Sequence, residues 1–196
     1  MSLNRDVFRE YDVRGIADVD FSGDFSYCLG RAFGTYAISH NRKKIAVSGD
    51  VRLSTKRLKE GLVKGLIEAG IDVIDIGILP TPTNYFANFN LDIDGSVQIT
   101  GSHNPSDYNG FKFTFDKQSF FGDQIQELYN IIVNKSYQKG TGSCIDFEII
   151  TPYIKDIVDK IKIDKKIKVI MDCGNAAGCI VAPEIFKKLN IDLEEL

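Results

Sequence analysis

Hydrophobic residues along this chain follow two alternating kinds of spacing. Apolar positions three and four residues apart predict helices over residues 24–39, 54–69, 81–90 and 123–133. Short apolar or alternating runs between them predict strands over residues 44–48, 71–76, 94–100 and 111–115. The run over 71–76 is apolar enough to predict burial on both faces. Strands that alternate with helices predict an α/β fold, layered α/β/α, with a mixed, mainly parallel sheet.

The later part of the chain restarts this pattern after a polar interruption. Residues 135–146 are polar and contain two glycines, which predicts a linker. A helix is predicted to open at Thr151, and a strand follows over 167–171. We therefore predict one domain over residues 1–146 and a second over residues 147–196.

Composition and charge narrow the possible classes of protein. The 196 residues are 43% hydrophobic and 26% charged, which is typical of a soluble globular protein. The net charge of −3 gives no electrostatic case for binding nucleic acid. The apolar runs are too short to span a membrane, and the first residues lack a hydrophobic signal core, so we expect a cytoplasmic protein. Four cysteines without a C-x-x-C pair are expected to be buried, reduced thiols: Cys28, Cys144, Cys173 and Cys179.

A polar, turn-forming segment from Thr100 to Lys112 lies between two runs with strand periodicity, 96–99 and 111–115. Glycine, asparagine, proline, aspartate and serine make up ordinary surface turns, so composition alone favours a plain connection between strands. The segment also displays serines, a histidine, two asparagines and a lysine where a ligand could reach them.

Three stretches resemble motifs of the α-D-phosphohexomutases. Residues 102–105 read Ser-His-Asn-Pro and residues 109–112 read Asn-Gly-Phe-Lys, similar to that family's phosphoserine loop, T-[AG]-S-H-N-P followed by N-G-x-K. Residues 8–15 resemble the family's opening F-R-x-Y-D-[IV]-R-G. Residues 172–178 resemble the opening of its second domain. The likeness therefore spans the first of the family's four domains and the start of the second, which implies that the predicted domain 147–196 is incomplete.

The resemblance implies a phosphomannomutase or phosphoglucomutase, an isomerase that interconverts hexose 1-phosphate and hexose 6-phosphate. It leaves open whether the sugar is mannose, glucose or both, and it leaves the oligomeric state open. Ser102 would carry a phosphoryl group, pass it to the sugar phosphate, and take the other phosphoryl back from the bisphosphorylated intermediate. Mg²⁺ would bind an oxygen of the phosphoryl group on Ser102, and hexose 1,6-bisphosphate would be the activator. Such a reaction requires mainly positioning and charge neutralisation.

The same resemblance implies roles for other side chains. Arg14, the second arginine of the opening motif, would face the site and bind phosphate, although without the resemblance it would be interpreted as a solvated surface charge. Lys112 would be a nearby cation that could also move a proton to or from the sugar hydroxyl. His103 would orient the loop and its phosphate. The remaining residues expected to bind substrate or phosphate are Tyr11, Asn104 and Asn109.

One segment departs from the family pattern. The family usually shows G-R-D-x-R-x-S, and here Asp50, Arg52 and Ser54 fit. Residues 48–49 are Ser-Gly where the family has Gly-Arg, so we assign this loop no phosphate role. A turn from strand to helix, with Ser54 or Thr55 as the N-cap, is sufficient to explain it.

The family's metal loop, D-G-D-x-D-R, and its sugar-specificity loop have no counterpart in the sequence. We therefore expect that this chain alone does not turn over. One alternative is a stand-alone, non-catalytic module that binds phosphosugars. A serine hydrolase that uses Ser102 and His103 is a weaker alternative, because adjacent residues on a turn do not easily form the required hydrogen bond and no G-x-S-x-G elbow is present.

Overall fold

The computed structural model describes residues 3–196. These residues form nine strands and six α-helices, which are separated by polar turns. The strands are β1 (Val13–Ile16), β2 (Lys44–Gly49), β3 (Asp72–Ile78), β4 (Gly95–Ile99), β5 (Tyr108–Phe115), β6 (Gln118–Ser119), β7 (Cys144–Asp146), β8 (Lys168–Met171) and β9 (Asp192–Glu195). The helices are α1 (Phe25–Ser39), α2 (Thr55–Ala69), α3 (Thr81–Asn90), α4 (Asp123–Asn134), α5 (Ile150–Lys160) and α6 (Ala182–Lys188). The ends of α1 to α4 lie within one residue of the predicted ends.

The main sheet has the strand order β1-β5-β4-β2-β3-β7, and the short β6 pairs with β5. Strands β4, β2, β3 and β7 pair in parallel, whereas β5 is antiparallel to both β4 and β1. The predicted mixed, mainly parallel sheet is therefore confirmed. Strand β5 is not the outermost strand, because β1 pairs with its outer side and completes an antiparallel end of the sheet. The strand also begins earlier than predicted, since Tyr108, Asn109 and Gly110 pair with β1.

Helices cover both faces of this sheet. Apolar side chains of α1, α2 and α4 pack with the aromatic side chains of β5, for example Phe33 against Phe113 with ring centroids 4.8 Å apart. Helix α3 covers the opposite face, where Ala87 packs with Ala46 and Ile76. Aliphatic and aromatic residues thus form the two layers of core that make the α/β/α arrangement.

The segment 135–146 contains a strand that the prediction missed. Residues Cys144–Asp146 form β7, which pairs in parallel with Val73, Ile74 and Asp75 of β3. All three β7 residues are exposed, so this short strand carries no hydrophobic pattern that a sequence could reveal. The prediction that β3 is buried on both faces is wrong in part, because Ile74 and Asp75 are only half-buried and Asp72 is exposed.

Strands β8 and β9 form a separate, parallel, two-stranded sheet near the end of the chain. Helix α5 lies against α3, where the rings of Phe86 and Tyr153 meet edge to face at 5.5 Å. The division into domains at residue 146 stays a prediction. Between residues 3 and 196, no helix combines the length and apolar character needed to cross a membrane.

All four cysteines are free thiols. Cys144 and Cys179 are exposed, and Cys28 and Cys173 are half-buried, so the prediction of burial is wrong. Burial together with the neighbouring Cys179 thiol raises the pKa of Cys173.

Candidate functional site

The loop between β4 and β5 holds Ser102 in a backbone conformation that serine rarely adopts. Its φ of 53° lies in the left-handed region, which costs roughly 1–3 kcal/mol for a residue other than glycine. The Ser102 amide donates to Thr100 Oγ1 at 2.9 Å, and the Asn104 amide donates to the Gly101 carbonyl oxygen at 3.0 Å. Ser102 is exposed at the tip of this turn. The surroundings of the loop must therefore stabilise its shape.

Arg52 supplies much of that stabilisation by donating to four carbonyl groups of the loop. Its Nη2 donates to the carbonyl oxygens of Ser102 at 3.2 Å and Asn104 at 2.6 Å. Its Nη1 donates to those of Pro105 and of Tyr108, the latter at 3.0 Å. One guanidinium group thus connects both halves of the loop.

Asp50 holds Arg52 and the beginning of the loop together. Its carboxylate lies 3.3 Å from Arg52 Nε, accepts from the Gly101 amide at 3.2 Å, and accepts from Thr55 Oγ1 at 2.7 Å. A Cβ atom built on Gly49 would stand 2.3 Å from Thr55 Cγ2, so this arrangement leaves no room for the family's arginine at that position. The interpretation of this segment as a plain turn missed its role, although the match at Asp50 and Arg52 was the available signal.

Arg14 contacts the loop from the side of β1. Its Nη1 donates to the Gly101 carbonyl oxygen at 2.6 Å and to Asn104 Oδ1 at 2.7 Å, while its Nη2 pairs with Asp12 at 2.6 Å. The side chain is only 4% exposed, so the interpretation as a solvated surface charge is wrong. The opposite charge of Asp12 and the two oxygens of the loop offset the cost of burying this cation.

Lys112 shares the carboxylate of Asp12 with Arg14. Its Nζ donates to Asp12 Oδ2 at 3.0 Å, and 29% of its side chain is exposed. Lys112 and Gly110 lie on the same face of β5, because alternate residues of a strand point to the same side. The structure therefore places Lys112 beside Arg14 as a partly accessible cation.

Ser102 and Asn104 line a cleft of about 630 Å³. Residues 50–54 form another wall of this cleft, and residues 174–177 form a third. The predicted phosphoserine thus faces an open space that extends to residues 174–177, which follow β8.

His103 lies close to Ser102 without forming a strong pair. The distance from Ser102 Oγ to His103 Nδ1 is 3.4 Å, which is long for a hydrogen bond from a hydroxyl group, and both residues are exposed. Within residues 3–196, the His103 ring has no further hydrogen-bond partner. The third group that orients the histidine of a serine hydrolase is therefore missing from the described residues.

Of the predicted site residues, Ser102 and Asn104 line the cleft, whereas Arg14, His103 and Lys112 do not. Tyr11 and Asn109 make their contacts elsewhere. Tyr11 is 70% exposed, lies outside the cleft lining, and packs its ring 6.2 Å from the ring of Phe121. Asn109 is fully buried. Its Nδ2 donates to the hydroxyl oxygens of Ser54 at 2.9 Å and Thr55 at 3.1 Å, and its Oδ1 accepts from an amide at 2.8 Å. Asn109 therefore connects β5 to the start of α2 and is not accessible to a phosphate.

The described residues do not build a metal centre by themselves. No group of three or more His, Cys, Asp or Glu side chains within residues 3–196 is placed to hold a metal ion. A phosphoryl group on Ser102 would supply Mg²⁺ with oxygen ligands from a single residue. These residues therefore do not fit a complete Mg²⁺ site.

Comparison with known proteins agrees with this fold. Residues 5–139 match the family model of phosphoglucomutase/phosphomannomutase, alpha/beta/alpha domain I. The phosphomannomutase/phosphoglucomutase of Pseudomonas putida is 38% identical over 192 residues, which cover 98% of this chain and 42% of that protein. The phosphoglucomutase of Neisseria gonorrhoeae is 36% identical over 197 residues, which cover 100% of this chain and 43% of that protein.

A crystal structure supports the same assignment. The phosphoglucomutase/phosphomannomutase family protein of Burkholderia thailandensis superposes with a TM-score of 0.95 at 37% identity, over 99% of this chain and 44% of that one. The chain thus spans less than half the length of the relatives that it matches. From the family model, the identity across nearly every residue and the shared fold, we conclude that the chain belongs to the phosphoglucomutase/phosphomannomutase family.

Proposed function

We propose that this chain carries the phosphoserine of a mutase that interconverts hexose 1-phosphate and hexose 6-phosphate, on mannose, glucose or both. The main support is the geometry of Ser102, which is exposed and lines the cleft while Arg52 and Arg14 hold the backbone of its loop. A nucleophile that is compact, exposed and held in place is what phosphoryl transfer requires of a protein. The names of the relatives support hexose phosphate as the substrate.

In the proposed reaction, the bond between phosphorus and Ser102 Oγ breaks as a bond forms from phosphorus to a hydroxyl oxygen of the sugar phosphate. That hydroxyl group loses its proton and Ser102 Oγ takes one up, so the products are a bisphosphorylated sugar and an unmodified serine. The second half reverses these changes at the other phosphate, which returns a phosphoryl group to Ser102. Lys112 would accept the proton of the sugar hydroxyl as a neutral amine, and the ammonium group that results would supply positive charge and a proton to return. Hexose 1,6-bisphosphate would restore the phosphoserine when it is lost.

We also propose that the 196-residue chain by itself does not turn over. It spans about two fifths of the length of its curated relatives, and its described residues contain no metal-binding cluster. Mg²⁺ would need ligands besides Ser102, so we assign it no step here. A cytoplasmic location is likewise proposed from the sequence.

The test uses protein expressed from the complete gene and a hexose 1,6-bisphosphate carrying labelled phosphate. We expect label on the peptide that contains Ser102, no label in Ser102→Ala, and normal labelling in Ser106→Ala, which changes another exposed serine of the same loop. Undiminished labelling of Ser102→Ala would refute the proposal. Binding of hexose phosphate without any labelling would indicate the non-catalytic module instead, and reaction of Ser102 with a fluorophosphonate probe would indicate a hydrolase.

A further inference from the structure

The contacts of Arg52 point to a role that the sequence alone did not assign. We propose that Arg52, held by Asp50, is a positioning residue that fixes Ser102 for phosphoryl transfer. This inference rests on the proposed function for its effect on rate, but its effect on the loop can be measured independently. Arg52 lies on the segment between β2 and α2, 50 residues before Ser102 in the chain.

The guanidinium group contacts the loop closely along its length. Its bonds reach the carbonyl groups of Ser102, Asn104, Pro105 and Tyr108. At the beginning of the loop, a Cβ atom built on Gly101 would stand 2.3 Å from Arg52 Cζ. Any side chain at position 101 would therefore displace the arginine.

The Arg52 side chain is itself held in place. The Arg52 side chain is 14% exposed, and its Nε lies 3.3 Å from Asp50 Oδ2. The side chain of Asp50 is only 12% exposed. Asp50 also accepts from the Gly101 amide and from the hydroxyl group of Thr55 on α2. The loop is thus connected to the start of α2 through an ion pair that solvent reaches only slightly.

Arginine suits this position for a geometric reason. Its planar fork presents several N–H groups in fixed directions, whereas lysine presents one compact ammonium group. Lysine would keep the charge beside Asp50 but could not contact four carbonyl groups at once. Without these contacts, we expect the left-handed backbone of Ser102 to relax and the reacting oxygen to move. A misplacement of about 1 Å can cost about 100-fold in rate.

The direct test is hydrogen exchange at two amides, Asn104 and Tyr108, which donate to carbonyl groups within the loop. We expect exchange at both amides to accelerate about tenfold or more in Arg52→Ala and in Arg52→Lys. The exchange rates of amides in the rest of the chain should not change. Arg31→Ala is the matched control, because Arg31 is 11% exposed, pairs with Glu68, and has no contact with the loop. Unchanged exchange at the two amides in both Arg52 variants would overturn the proposal, and so would equal acceleration throughout the chain.

The rate test uses protein expressed from the complete gene. We expect kcat to fall about 100-fold in both Arg52 variants, while KM stays within about threefold and lysine fails to restore the rate. A raised KM with unchanged kcat would show that Arg52 binds substrate and would overturn its role in positioning. Absence of mutase activity in the unaltered protein would refute the proposed function, whereas the exchange result would still decide whether Arg52 holds the loop.

Discussion

Arg14 and Gly110 lie opposite each other across β1 and β5, and the guanidinium group of the arginine extends over the glycine. A Cβ atom built on Gly110 would stand 2.7 Å from Arg14 Nε and 2.6 Å from the Val13 carbonyl oxygen. From this position Arg14 reaches the Gly101 carbonyl oxygen and Asn104. The missing side chain at position 110 therefore leaves the space through which Arg14 holds the Ser102 loop.

Gly110→Ala should displace Arg14 from the loop. We expect a loss of about 1–3 kcal/mol in the free energy of unfolding, because the added methyl group overlaps the arginine and the backbone. Denaturant titration measures this loss. Gly178→Ala is the control, since its Cβ would meet Cys173 Sγ at an ordinary 3.6 Å and should change stability by only about 0.5 kcal/mol. Equal midpoints for Gly110→Ala and the unaltered protein would contradict this account.

Lys112→Ala should slow phosphoryl transfer while leaving the fold intact. We expect the rate of transfer from Ser102 to fall about 100-fold or more, because the residue proposed to carry the proton is removed. Asp12 would still pair with Arg14, so the free energy of unfolding should change by about 1 kcal/mol or less. Rapid-quench measurement of the phosphoenzyme gives the rate, with Lys64→Ala on α2 as the control. An unaltered rate in Lys112→Ala would remove this residue from the mechanism.

A buried polar network beneath α3 should contribute strongly to stability. Ser96 Oγ lies 2.7 Å from Asn84 Oδ1, 2.8 Å from Asn88 Nδ2 and 2.7 Å from Thr114 Oγ1. Ser96→Ala would leave Asn84 Oδ1 without its donor, while Asn88 Nδ2 and Thr114 Oγ1 would each keep one other hydrogen bond. The unpaired buried oxygen should cost about 1–3 kcal/mol. Thermal unfolding measures the effect against Ser22→Ala, an exposed serine whose loss should cost about 0.5 kcal/mol or less. Similar melting temperatures for the two variants would show that water or rearrangement satisfies the network.

Hydrophobic spacing predicts the helices and the central strands of this fold because each buries an apolar face. The same signal fails at β7, whose three exposed residues bury no such face. It also misses the polar layer beneath α3, where Ser48, Gln98 and Asn88 are all buried. Each of these polar groups forms hydrogen bonds. The partners lie on other helices and strands, and the spacing of hydrophobic residues along the sequence does not show which elements meet.

The motif around Ser102 predicts which residues surround the site more reliably than it predicts what each one does. Asn104 and Arg14 do meet at the loop, but Arg14 donates there to Asn104 and to a backbone carbonyl oxygen of the protein, not to a ligand. Asn109 belongs to the same motif and is buried, with its amide bonded to the start of α2. The contribution of Arg52 depends on contacts across 50 to 56 residues of sequence, which only the folded chain brings together.

The most direct measurement is the phosphorylation state of Ser102 in protein purified from its own cells, before and after incubation with hexose phosphate. The account predicts that the peptide containing Ser102 carries a phosphoryl group, and that this group passes to the sugar to give a bisphosphorylated product. A phosphoryl group that stays on Ser102 in the presence of hexose phosphate, or a Ser102 that hexose 1,6-bisphosphate never phosphorylates, would contradict it.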